Sequence, residues 1–438
     1  MKHIDSIIKG GMIVTMDPQF RVLEEHFIAI DSGKILDILP LARLKDFKTK
    51  NKIDAAGCLV TPGFVNAHTH VPMSYFRGLA DDLPLDKWLN DYIWPLEAKM
   101  VNEDFVLDSS LHAAAEMIKN GITLCNDMYF HEDRIADAFT KAGTRVIISQ
   151  AIIGHNFDKD PSEIAPIVQK MQSCYQDNPL VDCAIAPHAI YTCSKEILKA
   201  CAEAAIANDW MIHTHLSETQ KELEDCLKEH GKRPLEYLES LGFLEAKCLF
   251  AHGVWLSGTE QKKLSDATAA IALCAHSNLK LGSGNAPVKD MLQNSVKLAI
   301  GTDGVASNNS LDILSEVGTL ARLHKGINHD PTILSAKKAF SLLTIDGAKA
   351  LGRGEDLGSL ETGKWADIAI IQIDSLATTP LYNPYSQLVY AMKSEMIRDL
   401  MVAGSFVMKD RALKNLDEKE LIETAKKYKI KILQELVR

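Results

Sequence analysis

Histidines and acids recur just beyond short apolar runs in this chain, and their types and spacing suit metal chemistry. His68-Thr69-His70 closes the apolar run 59–67. In extended backbone, side chains at i and i+2 point the same way, so both imidazoles can reach one ion. His213-Thr214-His215 follows Trp210-Met211-Ile212, and Glu218 stands three residues past His215. That spacing sets a carboxylate beside a ligand just beyond a strand end. His213, one strand step deeper, reads as a packed histidine that supports its neighbours rather than as a ligand. His252 ends Cys248-Leu249-Phe250-Ala251, and Asp303 ends Leu298-Ala299-Ile300-Gly301-Thr302. Taken singly, each has a plainer explanation: a His-x-His pair can be two hydrogen-bonded side chains, and an Asp after an apolar strand is usually a helix cap. Their recurrence changes the reading. Three histidines and one carboxylate, each closing a different strand, make an open nitrogen/oxygen site of the catalytic zinc type, with room for a water. No cysteine pair has the spacing of a thiolate-rich structural zinc site, and Cys183 and Cys193 read as packing residues.

Such groups act together only if their strand ends meet at one mouth. Strand-like segments are expected at 61–68, 122–127, 145–153, 182–187, 211–215, 248–252, 270–274 and 297–303. Helical periodicity lies between them, at 109–120 closed by Gly121, 136–142 closed by Gly143, 195–208 and 219–230. Eight strands alternating with helices predict a (β/α)8 TIM barrel over residues 61–356, whose C-terminal strand ends are the face where catalytic groups sit. Short β pieces at 4–8, 12–15, 27–30 and 34–39 precede it, punctuated by Gly10-Gly11 and Asp31-Ser32-Gly33. Similar pieces return at 368–373, 400–402 and 406–407. The expectation is a small β-sandwich domain built from both chain ends, residues 1–60 and 357–415, followed by a charged amphipathic helix over 416–438 that is exposed to solvent.

The 438 residues are 46% hydrophobic and 24% charged, too apolar for a disordered chain. A net charge of −10 without a basic run argues against nucleic acid or an anionic membrane as partner. Nine cysteines without paired spacing suit a reducing cytosol. The opening stretch is broken by Asp5, Gly10 and Gly11 before a signal-like run develops, and no stretch reaches the ~20 apolar residues of a membrane span. A cytoplasmic protein acting on a small molecule is expected.

With these motifs in place, the chain resembles the amidohydrolase superfamily almost end to end. The resemblance rests on Thr61-Pro62-Gly63-Phe64-Val65-Asn66-Ala67-His68-Thr69-His70 and on His215-Leu216-Ser217-Glu218-Thr219. It continues in Ser277-Asn278-Leu279-Lys280-Leu281-Gly282-Ser283-Gly284, in Ala286-Pro287-Val288 and in Gly301-Thr302-Asp303-Gly304-Val305-Ala306-Ser307-Asn308-Asn309. Gly358-Ser359-Leu360 and Gly363-Lys364-Trp365-Ala366-Asp367 match the return to the sandwich. Within the superfamily these motifs are most similar to the branch of methylthioadenosine/S-adenosylhomocysteine deaminases and related aminohydrolases. The resemblance implies one zinc ion per subunit, held by His68, His70, His215 and Asp303, with Glu218 and His252 beside the attacking water. It implies that Glu97, in Trp94-Pro95-Leu96-Glu97, holds ribose hydroxyls and that His188, in Ala186-Pro187-His188, contacts substrate. It also implies a homo-oligomer. Dinuclear relatives use a carboxylated lysine at the end of the fourth strand; segments 122–130 and 145–154 contain none, which favours one metal. Relatives that accept S-adenosylhomocysteine carry an arginine near Gln150, and many have a His-Asn-Pro-like sequence where this chain has Cys274-Ala275-His276.

The chemistry implied is hydrolytic deamination of a 6-aminopurine nucleoside such as 5′-methylthioadenosine, S-adenosylhomocysteine or adenosine. Zinc is suited to making hydroxide available at neutral pH. Asp303 or His252 would take the remaining proton, and Glu218 would protonate N1 and then the departing ammonia. An alternative is an aminohydrolase or chlorohydrolase of another heterocycle, a triazine or guanine. A metal-binding but silent scaffold would need a missing ligand or acid, and every such position is filled.

Overall fold

The computed structural model describes residues 1–157 and 160–437, so residue 438 of the expected terminal helix lies outside the described residues. Eight parallel segments form the barrel wall. They are β1 (Phe64–Thr69), β2 (Ile122–Asp127), β3 (Arg145–Ile148), β4 (Val181–Cys183), β5 (Met211–Leu216), β6 (Lys247–His252), β7 (Ala269–Leu273) and β8 (Lys297–Ile300). Pairing runs β1-β2-β3-β4 in one sheet and β5-β6-β7-β8 in the other. A parallel bridge between Ile185 and Ile212 joins β4 to β5. The other seam is closed by the Asp303 amide donating to the His68 carbonyl at 3.0 Å and by Asn66 exchanging two hydrogen bonds with Thr302. These strands are continuous apolar runs because helices cover the outside, as parallel sheets require. Val65, Leu124, Ile147, Leu249, Ala270 and Ala299, from six different strands, pack into one cluster.

The first expected strand, 61–68, is two strands in two layers. Cys58–Pro62 pairs antiparallel with Ile368–Gln372, while Phe64 begins β1. The chain changes sheet at Gly63, three residues past residue 60, and only glycine fits there: a Cβ would lie 2.3 Å from Thr123 Cγ2. Cys58–Pro62 belongs to a seven-stranded sheet that interleaves the chain ends, in the order Ala412–Leu413, Ser405–Lys409, Ile397–Val402, Ile368–Gln372, Cys58–Pro62, Met12–Val14, Val22–Leu23. A four-stranded sheet of Lys34–Pro40, His26–Asp31, Ser6–Lys9 and Asn51–Asp54 packs on it through Ile8, Ile28, Ile30, Val60, Ile368 and Met401. The buried Arg145–Asp367 pair, 2.9 Å apart, ties the start of β3 to this layer.

Three further expectations need correction. Segment 145–153 divides into β3 and Ala151–Ile152, which pairs with Ala186–Pro187, so the chain bends at the barrel mouth. The terminal helix Glu418–Val437 is not simply solvated: Tyr428 and Ile432 are buried, and the Tyr428 ring packs 5.3 Å from Phe105 on the helix Glu103–Lys119. That helix starts well before residue 109 because Asn102 caps it, accepting from the Phe105 amide at 3.0 Å. Among the described residues no helix is long and apolar enough to cross a membrane.

Candidate active site

The strand ends bring His68, His70, His215 and Asp303 together, with one ligand atom from each lying within 4.8 Å of every other. His68 and His70 both come from the end of β1, His215 from β5, and Asp303 from the turn after β8, so three strand ends supply the four donors rather than one each from four as the pattern suggested. His68 Nε2 lies 3.3 Å and His70 Nε2 3.2 Å from Asp303 Oδ1, and the Nε2 atoms of His70 and His215 are 3.3 Å apart. A tetrahedral ion with arms of about 2.0–2.1 Å would separate neighbouring ligand atoms by roughly 3.3 Å. Three of the six ligand-atom pairs already have that spacing.

Surrounding groups aim these atoms inward. His70 Nδ1–H donates to the Met128 carbonyl and His215 Nδ1–H to the His188 carbonyl, each at 2.7 Å. His68 Nδ1 lies 2.7 Å from His213 Nε2. With Nδ1 committed in this way, each ring presents Nε2 as its lone-pair nitrogen. His68 Nε2 is buried and makes no hydrogen bond. Asp303 Oδ2 accepts from Ser277 Oγ at 2.6 Å and Ser307 Oγ at 2.9 Å, leaving Oδ1 toward the histidines. Burial alone would raise the Asp303 carboxyl, but His68 and His70 beside it hold it well below the usual range. An anionic oxygen among three imidazole nitrogens, one of them buried without a partner, fits a divalent zinc-like cation.

The expected bystanders lie at the same mouth. Glu218 is 4% exposed, and its Oε2 is 3.7 Å from His252 Nε2. Burial raises the Glu218 carboxyl against the lowering influence of His252, which favours its protonated form. His252 Nδ1–H donates to Asn278 Oδ1 at 2.8 Å, so its Nε2 faces Glu218. His252 and Asp303 adopt left-handed backbone, with φ of 73° and 60°. Such strain in non-glycine residues collects at functional sites. Glu97, on the short helix Trp94–Met100, and His188 line the same cavity as His70, His215, Glu218, His252 and Asp303. The cavity volume is about 70 Å³.

His213 is not part of the ligand cluster but steadies His68, as its register predicts. The true fourth strand, Val181–Cys183 continued at Ala186–Pro187, lies outside segments 122–130 and 145–154, and residues 181–187 contain no lysine either. His276, where many relatives carry a different sequence, serves the scaffold: its Nδ1 is 2.9 Å from buried Glu316 Oε2 and its Nε2 2.8 Å from Thr319 Oγ1. Sequence reasoning gave no role to Ser277, Ser307, Asn278, Glu222 or Tyr129. Glu222 was within reach: Thr219-x-x-Glu222 has capping-box spacing, and its carboxylate accepts from the Ser217 and Glu218 amides at 2.8 Å each.

A model of the amidohydrolase family matches residues 59–407. A 5-methylthioadenosine/S-adenosylhomocysteine deaminase of Thermodesulfovibrio yellowstonii is 40% identical over 429 residues, covering 96% of this chain and 97% of that protein. A 5′-deoxyadenosine deaminase of Methanothermobacter thermautotrophicus is 40% identical over 400 residues, covering 91% and 92%. The crystal structure of an adenosine deaminase from Xanthomonas campestris with bound zinc superposes with a TM-score of 0.95 at 35% identity, covering 99% of both chains. The strand-end cluster, the barrel that gathers it and these likenesses agree: the chain belongs to the amidohydrolase family.

Proposed function

We propose that this protein is a zinc-dependent aminohydrolase that deaminates 6-aminopurine nucleosides. The observation that carries the reading is one cavity containing both a His3Asp donor cluster with a buried acid, Glu218, beside it and a further buried acid, Glu97. His68, His70, His215 and Asp303 would hold the zinc, which when bound supplies Lewis acidity that makes water nucleophilic near neutral pH. His252 Nε2, its other nitrogen fixed by Asn278, orients the attacking water and takes its proton, with Asp303 as the neighbouring acceptor. Glu218 delivers a proton to purine N1 as the C6–O bond forms. The Glu218 carboxylate then takes the remaining proton of the C6 hydroxyl and passes it to the exocyclic nitrogen as the C6–N bond breaks. His252, 3.7 Å away, returns the first water proton to Glu218, so one water is consumed and ammonia leaves. Positioned proton transfer of this kind contributes ~10²–10⁴-fold in rate. Glu97 accepts from the ribose hydroxyls, and His188 contacts the substrate.

The described residues lining the cavity include no lysine or arginine; Leu85, Leu89, Phe130, Ile153 and Leu281 are among them. A 5′ substituent with a free carboxylate would lack a counter-charge there, and position 150 is Gln. This supports hydrogen, hydroxyl or methylthio at the 5′ position over homocysteine. The nine free cysteines support a reducing compartment. The test is loss of adenine absorbance with ammonia release when zinc-loaded protein meets a panel of adenosine analogues. No turnover on any of them overturns the reading. Turnover of guanine or a triazine with Glu97→Gln fully active favours the other heterocycles.

A further inference from the structure

We infer that Tyr129 is the positioning residue of the sugar end of this cavity, its hydroxyl fixing the Glu97 carboxylate in the one orientation that can receive a ribose diol. The inference rests on the nucleoside reading above and adds a residue to which neither the sequence motifs nor the family likeness gives a role.

The two partners come from separate parts of the fold. Glu97 sits on the helix Trp94–Met100, in a wall segment outside the barrel that begins with a π-helical turn, Trp88–Ile93. Such turns gather at functional sites. Tyr129 lies just past β2, and its backbone is held on both sides: its amide donates to the Ser149 carbonyl at 3.2 Å, and its carbonyl accepts from the Ala151 amide at 2.9 Å. The phenol is therefore carried by the barrel and the acid by the wall. Tyr129 Oη donates to Glu97 Oε1 at 2.5 Å, with the residues 3% and 9% exposed. Glu97 Oε2 has no hydrogen-bond partner among the described residues, and both side chains line the cavity.

A glutamate has three side-chain torsions, and a buried carboxylate with one weak partner would swing or take up a proton. One short charge-assisted bond from a barrel-mounted donor removes much of that freedom. Burial raises the Tyr129 phenol well above its ordinary range, so it stays a donor. Burial also pushes the Glu97 carboxyl up to about 7, and the Tyr129 bond works against that rise. An ionised carboxylate only accepts hydrogen bonds, which matches the two O–H donors of a vicinal diol. Tyr129 thus acts through Glu97, and its effect belongs to binding of the sugar rather than to chemistry at C6.

The test compares Tyr129→Phe, nearly isosteric, with the unaltered protein on adenosine and 2′,3′-dideoxyadenosine, using zinc content as the check on folding. Loss of one hydrogen bond to a charged group raises KM for adenosine by roughly ten- to a hundredfold, with a much smaller change in kcat. The dideoxynucleoside, lacking the diol, shows less than about a twofold change in kcat/KM. In a Glu97→Gln background, Tyr129→Phe adds nothing further. Equal losses on both nucleosides, or independent losses in the double variant, overturn the inference and leave the deaminase reading standing. If the unaltered protein turns over no adenosine analogue, both fall together.

Discussion

Replacing His213 by Phe asks whether the cluster depends on a residue that cannot itself reach the ion. His213 and His68 are both 0% exposed, and their facing nitrogens are 2.7 Å apart. For His68 to present Nε2, its Nδ1 must carry the proton and His213 Nε2 must accept it. Phe fills a similar space but accepts nothing, leaving a buried N–H without a partner at a cost of about 1–3 kcal/mol. Loss of the outer partner of a metal-bound histidine lowers metal affinity by ~10–100-fold, which corresponds to about 1.4–2.8 kcal/mol. The two routes give the same range. The assay is zinc affinity by competition with a chromogenic chelator, with circular dichroism as the check on folding. His213→Gln, which retains an acceptor, recovers part of the loss. Affinity within twofold of the unaltered protein would refute the reasoning. So would a loss of ~10⁴-fold or more, because that is the behaviour of a direct ligand.

Three other outcomes follow from the same geometry. Glu218→Gln lowers kcat by ~10²–10⁴-fold while zinc content stays unchanged, since its carboxylate lies outside the donor cluster; loss of zinc would place it among the ligands instead. Gly301→Ala puts a methyl 2.8 Å from His68 Cβ and 3.0 Å from the His68 backbone nitrogen and oxygen, none of which can swing away. Overpacking of this kind costs about 1–3 kcal/mol, so calorimetry shows a lower melting temperature, and an unchanged melting temperature contradicts the close packing of β1 on β8. Burial raises the Glu97 carboxyl to about 7, against the Tyr129 bond and the positive influence of His70. It is protonated below that pH and purely an acceptor above it, so KM for adenosine falls as pH rises through about 7, while KM for 2′,3′-dideoxyadenosine does not follow it.

The barrel was legible because it depends on local pattern, whereas the choice of His68, His70, His215 and Asp303 among the strand-end groups came with the family resemblance. Apolar runs ending in histidine or aspartate fix strand ends, and i, i+2 spacing fixes which histidines share a face. The division of 61–68 between two layers was not legible, because nothing in Thr61-Pro62-Gly63 reveals that Thr123 closes on the glycine from another strand. The hydrogen-bonding supports were harder still. Ser277 and Ser307 reach Asp303 from 26 and 4 residues away, and Tyr129 meets Glu97 across 32. A serine or tyrosine carries no periodic signal of such a role. Tyr428 and Ile432 look like members of an exposed amphipathic helix until tertiary packing brings Phe105 against them.

The most direct test of the central claim is the metal content of protein purified without added chelator or metal and assayed by elemental analysis. One zinc per chain is expected, falling to near zero when both His215 and Asp303 are replaced by alanine. No bound transition metal, or two ions per chain, would contradict a single cation shared by the ends of β1, β5 and β8.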